Sequence, residues 1–296
     1  MSALPIPASG ASTSGCICCG AVEWLPKFRV LRQCKSCGFV RADMDLTHEQ
    51  VRKLYQEDYF QGEEYGDYLA DQDSHRKNFA ARLKAVQRLA GDIPSLFEIG
   101  CAYGFWLEQC QKAGIDCAGV DVCAEPVRHA RMVMGQNAQL GDFLSIPLAK
   151  ERYQAYCMWD TIEHLANPEA FISRVHGLLP EGGWLFLTTG DIGSRAAASR
   201  GPKWRMIHPP THLQYFSTAS MGRFLTRNGF EVVKSESTPM HRNIGETVER
   251  VANLGKGFAP HVAKVVRRIM PRWLKKRGFW LDLGDIMFVA ARKVRN

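Results

Sequence analysis

No stretch of this chain approaches the roughly 18 consecutive apolar residues that a membrane-spanning helix requires, so a helical integral membrane protein is excluded from the reading. Met1 to Gly15 is rich in Ala, Ser, Pro and Gly and lacks both a basic leader and an apolar core. It reads as a flexible tail over 1–14 and not as a signal peptide, which points to the cytoplasm. There the ten cysteines stay reduced, and metal binding suits them better than disulfides. The turn that opens at Gly100 lacks two glycines of the G-x-G-x-x-G dinucleotide fingerprint, since Ala102 and Phe105 stand in the second and third places. A pyrophosphate needs close backbone approach there, so NAD and FAD are disfavoured. Acids are scarce at one end. His241 to Asn296 holds thirteen Lys/Arg against Glu246, Glu249, Asp282 and Asp285, a surplus of +9 beside +8 for the whole chain. The remainder is close to neutral, so the basicity is local and needs a local cause.

What is present suffices for one large domain with an appendage: 296 residues, 46% hydrophobic and 23% charged. Cys16-x-x-Cys19-Gly20 and Cys34-x-x-Cys37-Gly38 form two knuckles, each able to offer two thiolates from one tight turn. Together Cys16, Cys19, Cys34 and Cys37 predict a closed, structural zinc site, with Cys18 a spectator and Val22 to Leu31 supplying a hairpin. Leu46 to Ala90 reads as helical, with a start at Thr47 and with Phe79, Leu83, Val86 and Leu89 on one face. Between them Tyr55, Tyr59, Phe60, Tyr65 and Tyr68 cluster among acids, as a packed linker or as a lid.

The centre of the chain is organised around Leu96 to Gly104. Ser95 to Ile99 reads as a buried strand, Gly100 and Gly104 as a turn, and Phe105 to Ala113 as a helix ended by Gly114. This is how α/β proteins bring backbone N–H groups to a ligand at a sheet's carboxyl edge. Cys117 to Asp121 is the next strand, and its terminal acid lies about 20 residues on, the offset at which a carboxylate meets ribose hydroxyls. A helix over Pro126 to Met134, a strand over Ala138 to Leu140 and another over Tyr153 to Trp159 follow. Asn167-Pro168-Glu169 starts a helix that runs to Leu179, and Pro180 to Gly183 turns into a strand over Trp184 to Thr188.

Glu98-x-Gly100-x-Ala102-x-Gly104 resembles the first motif, E/D-x-G-x-G-x-G, of class I S-adenosylmethionine (SAM)-dependent methyltransferases. Gly141-Asp142-Phe143, Asp160-x-x-Glu163-His164 and Pro180-Glu181-Gly182-Gly183 extend the resemblance over Leu96 to Glu236, towards bacterial small-molecule and sugar methyltransferases. The resemblance implies an α/β fold, a Rossmann-like seven-stranded doubly wound sheet with an antiparallel last strand, here joined to a four-cysteine zinc ribbon. It implies a SAM site of Glu98, Gly100, Cys101, Gly104, Asp121, Val122, Asp142, Phe143 and Trp159. The residues facing the methyl group would be Asp160, His164 and, from the run His208 to Ser217 beside the acceptor, His212. The two histidines are candidate general bases, because imidazole titrates near pH 6.5. Some related enzymes hold a divalent ion on E-x-x-E-H plus a distant histidine, and Asp160, Glu163, His164 and His212 offer a shorter version. Base-amine methyltransferases carry Asn/Asp-Pro-Pro-Tyr/Phe after this strand, which Trp159-Asp160-Thr161 lacks.

The expected organisation is a tail over 1–14, a ribbon over 15–45, a helical linker or lid over 46–91, and the methyltransferase domain over 92–296. Ser220 to Asn228 should form a helix, Phe230 to Val233 a strand and Asp285 to Ala291 the last strand, leaving 241–280 as a basic helical insertion. That insertion either covers the core with its apolar side or docks on an anionic membrane, with polyanion binding third. The expected activity is methylation at O or C of a small molecule, a sugar or lipid-linked glycan precursor among the candidates. An rRNA or tRNA methyltransferase with a zinc ribbon, and a non-catalytic ribbon protein, are the other readings. Nothing in the sequence sets the oligomeric state.

Overall fold

A computed structural model of the protein describes residues 15–56, 68–252, 257–275 and 277–294. The tail over 1–14 and the aromatics Tyr59, Phe60 and Tyr65 lie outside the described residues. The chain opens with three short strands, β1 (Trp24–Lys27), β2 (Leu31–Cys34) and β3 (Val40–Ala42), and then helices α1 (His48–Gln56) and α2 (Gln72–Ala90). The alternating unit follows: β4 (Ser95–Ile99), α3 (Phe105–Lys112), β5 (Asp116–Asp121), α4 (Ala124–Met132), β6 (Ala138–Leu140), β7 (Ala155–Trp159), α5 (Pro168–Leu178) and β8 (Trp184–Gly190). After α6 (Arg195–Arg200), β9 (Gln214–Tyr215) and α7 (Thr218–Arg227) comes β10 (Phe230–Ser237). The chain ends with β11 (Met240–Asn243), α8 (Ile244–Ala252), α9 (Phe258–Ile269), α10 (Arg272–Lys275), β12 (Gly278–Leu281) and β13 (Ile286–Lys293).

The main sheet runs β10-β13-β8-β7-β4-β5-β6. Pairings among β6, β5, β4, β7 and β8 are parallel, and β13 is antiparallel to both its neighbours. Seven strands, doubly wound, with an antiparallel closing strand is the architecture expected from the sequence. Strand order reverses at β4, between β5 on one side and β7 on the other. An open α/β sheet places its crevice at such a switch point, outside the carboxyl ends of the strands.

Alternation along β4 and β7 feeds two cores. Phe97, Tyr156 and Met158 join Ile162, Phe171 and Val175 on one face. Leu96, Ala155, Cys157 and Trp159 join Phe79, Val86, Trp106 and Phe288 on the other. Helix starts follow their capping chemistry. Asn167 Oδ1 accepts the Ala170 N–H with Pro168 at the first turn, and Ser217 and Ser220 form a reciprocal capping box for α7.

The ribbon is stitched into this body. β3 pairs antiparallel with β9, so a four-stranded sheet β1-β2-β3-β9 joins the N-terminus to the segment before α7. Cys16, Cys18, Cys34 and Phe39 are buried with Phe216 and Phe224 in the main core. The insertion is built differently, on a two-stranded stem of β11 and β12.

Candidate active site

After β4 the chain turns through Gly100, Ala102 and Gly104 at φ of 82°, 41° and 80°. The Gly100 and Cys101 N–H groups both donate to the Val120 carbonyl, at 2.8 and 3.1 Å. A Cβ on Gly100 would lie 2.6 Å from Thr161 Oγ1, so only glycine fits there. Ala102 accepts a left-handed conformation at a cost of about 1 kcal/mol or more, and its N–H donates to Asp121 Oδ2 at 2.8 Å. The Cys123 N–H donates to the other oxygen of Asp121, at 2.9 Å. Asp121 therefore ties the turn to the end of β5. Burial pushes its pKa up, against the pull of those backbone bonds. Glu98 is fully enclosed, its Oε2 has no hydrogen-bond partner, and burial foremost holds its pKa well above the usual carboxylate range. A buried acid with unspent acceptor capacity beneath a close-approach turn fits a ligand carrying ammonium and hydroxyl donors.

A cavity of about 330 Å³ lies just past the end of β5, lined by Arg52, Val122, Ala124, Leu140, Gly141 and Asp142; Glu98, Asp121 and the turn itself are not part of its lining. Asp142 Oδ2 lies 2.6 Å from His48 Nε2, and its Oδ1 accepts the Leu144 N–H at 2.9 Å. Residues of α1 thus reach the cleft from the N-terminal side. Phe143 turns the other way, buried against Phe97, Tyr156 and Phe171. Trp159 is likewise core, packed on Trp106 and Phe288 with the Arg82 guanidinium over its ring. The two rings belong to the two different cores, and neither lines this cavity.

At the end of β7 the backbone of Asp160 takes φ +50°, and Ile162–His164 make one tight helical turn. Asp160 accepts from Arg82 Nη2 at 2.8 Å and from Thr188 Oγ1 at 2.9 Å. Burial is the largest single influence and would raise its pKa, but the Arg82 charge, the hydrogen bonds from Arg82 and Thr188 and the His164 charge together outweigh it, and the net shift is downward. The next three functional groups converge. Ligand atoms of Glu163, His164 and His212, all buried, lie within 4.8 Å of one another. His164 Nδ1 is 2.9 Å from the Thr211 carbonyl and His212 Nδ1 is 2.9 Å from the Met206 carbonyl. A carbonyl only accepts, so each Nδ1 carries a proton, and the downward shift of His212 leaves the lone pair on its Nε2. Neither carboxylate oxygen of Glu163 has a hydrogen-bond partner. Burial foremost, and then the Asp160 charge, pushes its pKa up to about 8. Burial and the neighbouring His164 and His208 hold His212 well below the usual imidazole range. Two imidazoles beside a carboxyl that titrates within the working range can pass a proton between them, and the same donor set could hold a divalent cation.

At the opposite end of the ribbon sheet, the Cys16 and Cys37 sulfurs are 3.5 Å apart and those of Cys19 and Cys34 3.6 Å. Sulfurs about 2.3 Å from a tetrahedral zinc would lie about 3.8 Å apart. All four ligand atoms fall within 4.8 Å of one another, so the spacing and the thiol donor set fit that ion. Gly20 and Gly38 close the knuckles at φ of 78° and 76°. Cys18 is buried and stands outside the cluster.

A family model described as a methyltransferase domain matches residues 71–235. The chain belongs to the class I SAM-dependent methyltransferases. This methyltransferase is 28% identical over 117 residues to the ubiquinone biosynthesis O-methyltransferase of Bordetella avium, an alignment covering 36% of this chain and 48% of that one. It is 25% identical over 123 residues to the enzyme of the same name from Shewanella halifaxensis, covering 39% and 52%. The chain spans about half the length of the curated relatives it matches. Among solved structures it is similar to a SAM-dependent methyltransferase from Archaeoglobus fulgidus, at 18% identity and a TM-score of 0.52 over 76% of this chain and 99% of that one. It is also similar to Haemonchus contortus phospholethanolamine N-methyltransferase 2, at 16% identity and 0.53 over 83% and 61%. These two likenesses show the fold.

Four residues of the methyltransferase's crevice escaped the sequence reading: His48 and Arg52 on α1, Arg82 on α2 and Thr161 after β7. Three of them come from helices distant in sequence, with no local pattern to mark them. Arg82 did leave a signal, because it is a charge inside the apolar face formed by Phe79, Leu83 and Val86. A buried cation there demands a partner, and the partner is Asp160.

Proposed function

We propose that this methyltransferase moves the methyl group of SAM to a hydroxyl of a small-molecule acceptor, with the Glu163–His164–His212 cluster receiving the proton. The buried convergence of these three groups at the carboxyl end of β7 carries the reading. Glu98, Gly100, Cys101, Gly104 and Asp121 would hold the methionine and ribose end of SAM, and Val122 and Asp142 the adenine end. When bound, SAM supplies an electrophilic methyl on a sulfonium, which needs an in-line nucleophile at about 3–3.5 Å. His212 Nε2 takes the hydroxyl proton and the Met206 carbonyl holds its ring, while Glu163 can steady the resulting positive charge once its own carboxyl ionises, at about pH 8. Asp160 is spent on Arg82 and positions α2 against β7, so no proton step is given to it. The O-methyltransferase names of the curated relatives support hydroxyl chemistry.

The four cysteines hold a structural zinc. Nucleic acid is the less favoured acceptor, because three of the ribbon's five cations are paired with acids: Lys35 with Glu23 at 2.7 Å, Arg32 and Arg41 each with Asp45 at 3.0 Å. The test is transfer of labelled methyl from SAM to phenolic, sugar and lipid-linked glycan acceptors and to RNA. His212→Ala should lower kcat about 10²–10⁴-fold while SAM binding by calorimetry stays intact. Labelling of RNA alone, or full activity of His212→Ala, would overturn the proposal. The converged donors also favour a second version in which a divalent ion orients the acceptor oxygen. Loss of activity on chelation, restored by that ion without change in folding, selects it.

A further inference from the structure

The insertion between β10 and β13 is fixed at its base and bare at its tip. Its stem is pinned to α2: the His241 N–H donates to Asn78 Oδ1 at 2.6 Å, the Asn78 side-chain amide donates back to the His241 carbonyl at 3.2 Å, and Asn243 Nδ2 donates to Asp71 at 2.6 Å. Above it α9 packs on α8 through small or flexible residues, with Pro260, Ala263 and Met270 buried and Arg267 paired with Glu249. The bulky apolar residues point the other way. Phe258 is 86% exposed, Ile269 74% and Trp273 64%, with Val262 and Val265 exposed between them. Spacings of four, three and four residues put Phe258, Val262, Val265 and Ile269 on one stripe of α9, and Trp273 follows on α10 beyond the break at Met270 and Pro271. An ordinary amphipathic helix of a soluble domain buries that stripe. This one presents it.

The rim of the stripe is cationic. From Gly257 to Leu281 there are seven Lys/Arg and no Asp or Glu. Exposed Lys264 and Arg268 border it, Lys275 and Arg277 follow, and Arg277 lies over the Trp273 ring. Trp280, half exposed, adds a second aromatic at the same end. An apolar stripe with aromatics at one end and basic residues alongside matches a water–bilayer boundary. Apolar side chains enter the acyl edge, while Lys and Arg stems run up to anionic headgroups. A second copy of this chain meets the stripe poorly, because a face-to-face pairing would oppose Lys264 and Arg268 to their own copies, with no acid between Gly257 and Leu281 to offset them. RNA would use the cations and leave five apolar side chains in water.

We infer that the α9–α10 face docks this methyltransferase on an anionic lipid surface. The stem reaches the end of β7, where Arg82, the partner of Asp160, has its Nη2 3.6 Å from Met240 Sδ. The proposal stands apart from the choice of acceptor, since it concerns only where the enzyme rests.

The full chain is floated with vesicles of phosphatidylcholine alone and of phosphatidylcholine mixed with phosphatidylglycerol. Binding is expected to the mixed vesicles only, weakening as salt rises. Lys264→Gln/Arg268→Gln should bind about thirtyfold more weakly, at about 1 kcal/mol per cation near the surface. Phe258→Ser/Ile269→Ser should lose about tenfold or more, with SAM binding and thermal midpoint unchanged as the check on folding. Absence of vesicle binding by the folded wild type overturns the proposal. So does binding to an RNA oligonucleotide that the apolar substitutions leave untouched, or a dimer in vesicle-free solution that Ile269→Ser dissolves.

Discussion

The ribbon and the insertion are both appendages to one sheet, yet they dispose of their apolar residues in opposite ways. The ribbon sinks Phe39 between Trp24 and Phe216 and lends β3 to β9. The insertion keeps its small residues inside and turns Phe258 and Ile269 to solvent. An element that buries its apolar side pays its ordering entropy within the fold; one that does not must find its gain elsewhere. The first should behave as part of the core and the second as a surface.

The largest expected effect is at the ribbon's thiols. Cys34→Ser, or removal of the metal by a chelator, should unfold the ribbon, since structural zinc sites are worth about 10 kcal/mol or more of coupled folding. Thermal unfolding with zinc quantitation checks it, and an unchanged midpoint would break the comparison. Next, Phe39→Ala should cost about 3–5 kcal/mol in urea unfolding, at a ring 1% exposed. A smaller effect reads out the buried acid near β9. Glu163 keeps its proton in the folded state up to about pH 8, where an ordinary glutamate loses it near 4.5. The folded state therefore binds more protons across that window, and stability falls as pH rises through it. Glu163→Gln should flatten this slope in urea titrations run from pH 5 to 8, whereas insertion substitutions should leave it in place. A slope unchanged in Glu163→Gln would remove Glu163 as its source. The smallest effect is at the tip: Ile269→Ser should shift stability by no more than about 0.5 kcal/mol. A loss of 2 kcal/mol or so would mean the stripe is packed after all.

The strands of the central unit were legible from the sequence, because fully buried parallel strands write themselves as short apolar runs between turn glycines; the seven-stranded architecture came from the family resemblance. Ser95–Ile99 and Ala138–Leu140 begin and end where expected. β10 was legible only to Val233, since Lys234 to Ser237 is polar and exposed along a strand that pairing with β13 alone sustains. In the candidate site the turn and the acids were readable from spacing. Which acid faces which cation was not: Asp160 looked like a partner for the histidines and instead meets Arg82, 78 residues away. Nor could periodicity say which side of α9 faces outward, because an apolar stripe has the same pattern buried or bare.

The pairing of β3 with β9 joins two chemistries that the sequence keeps nearly 180 residues apart. Tyr215, on β9, donates its hydroxyl to the carbonyl of His212. A lesion at the N-terminal knuckles would thus slacken the loop that carries the imidazole, with no direct contact between them. If the knuckles hold zinc, metal supply would then be felt at the His212 loop as a mechanical tension, held or released along four short strands.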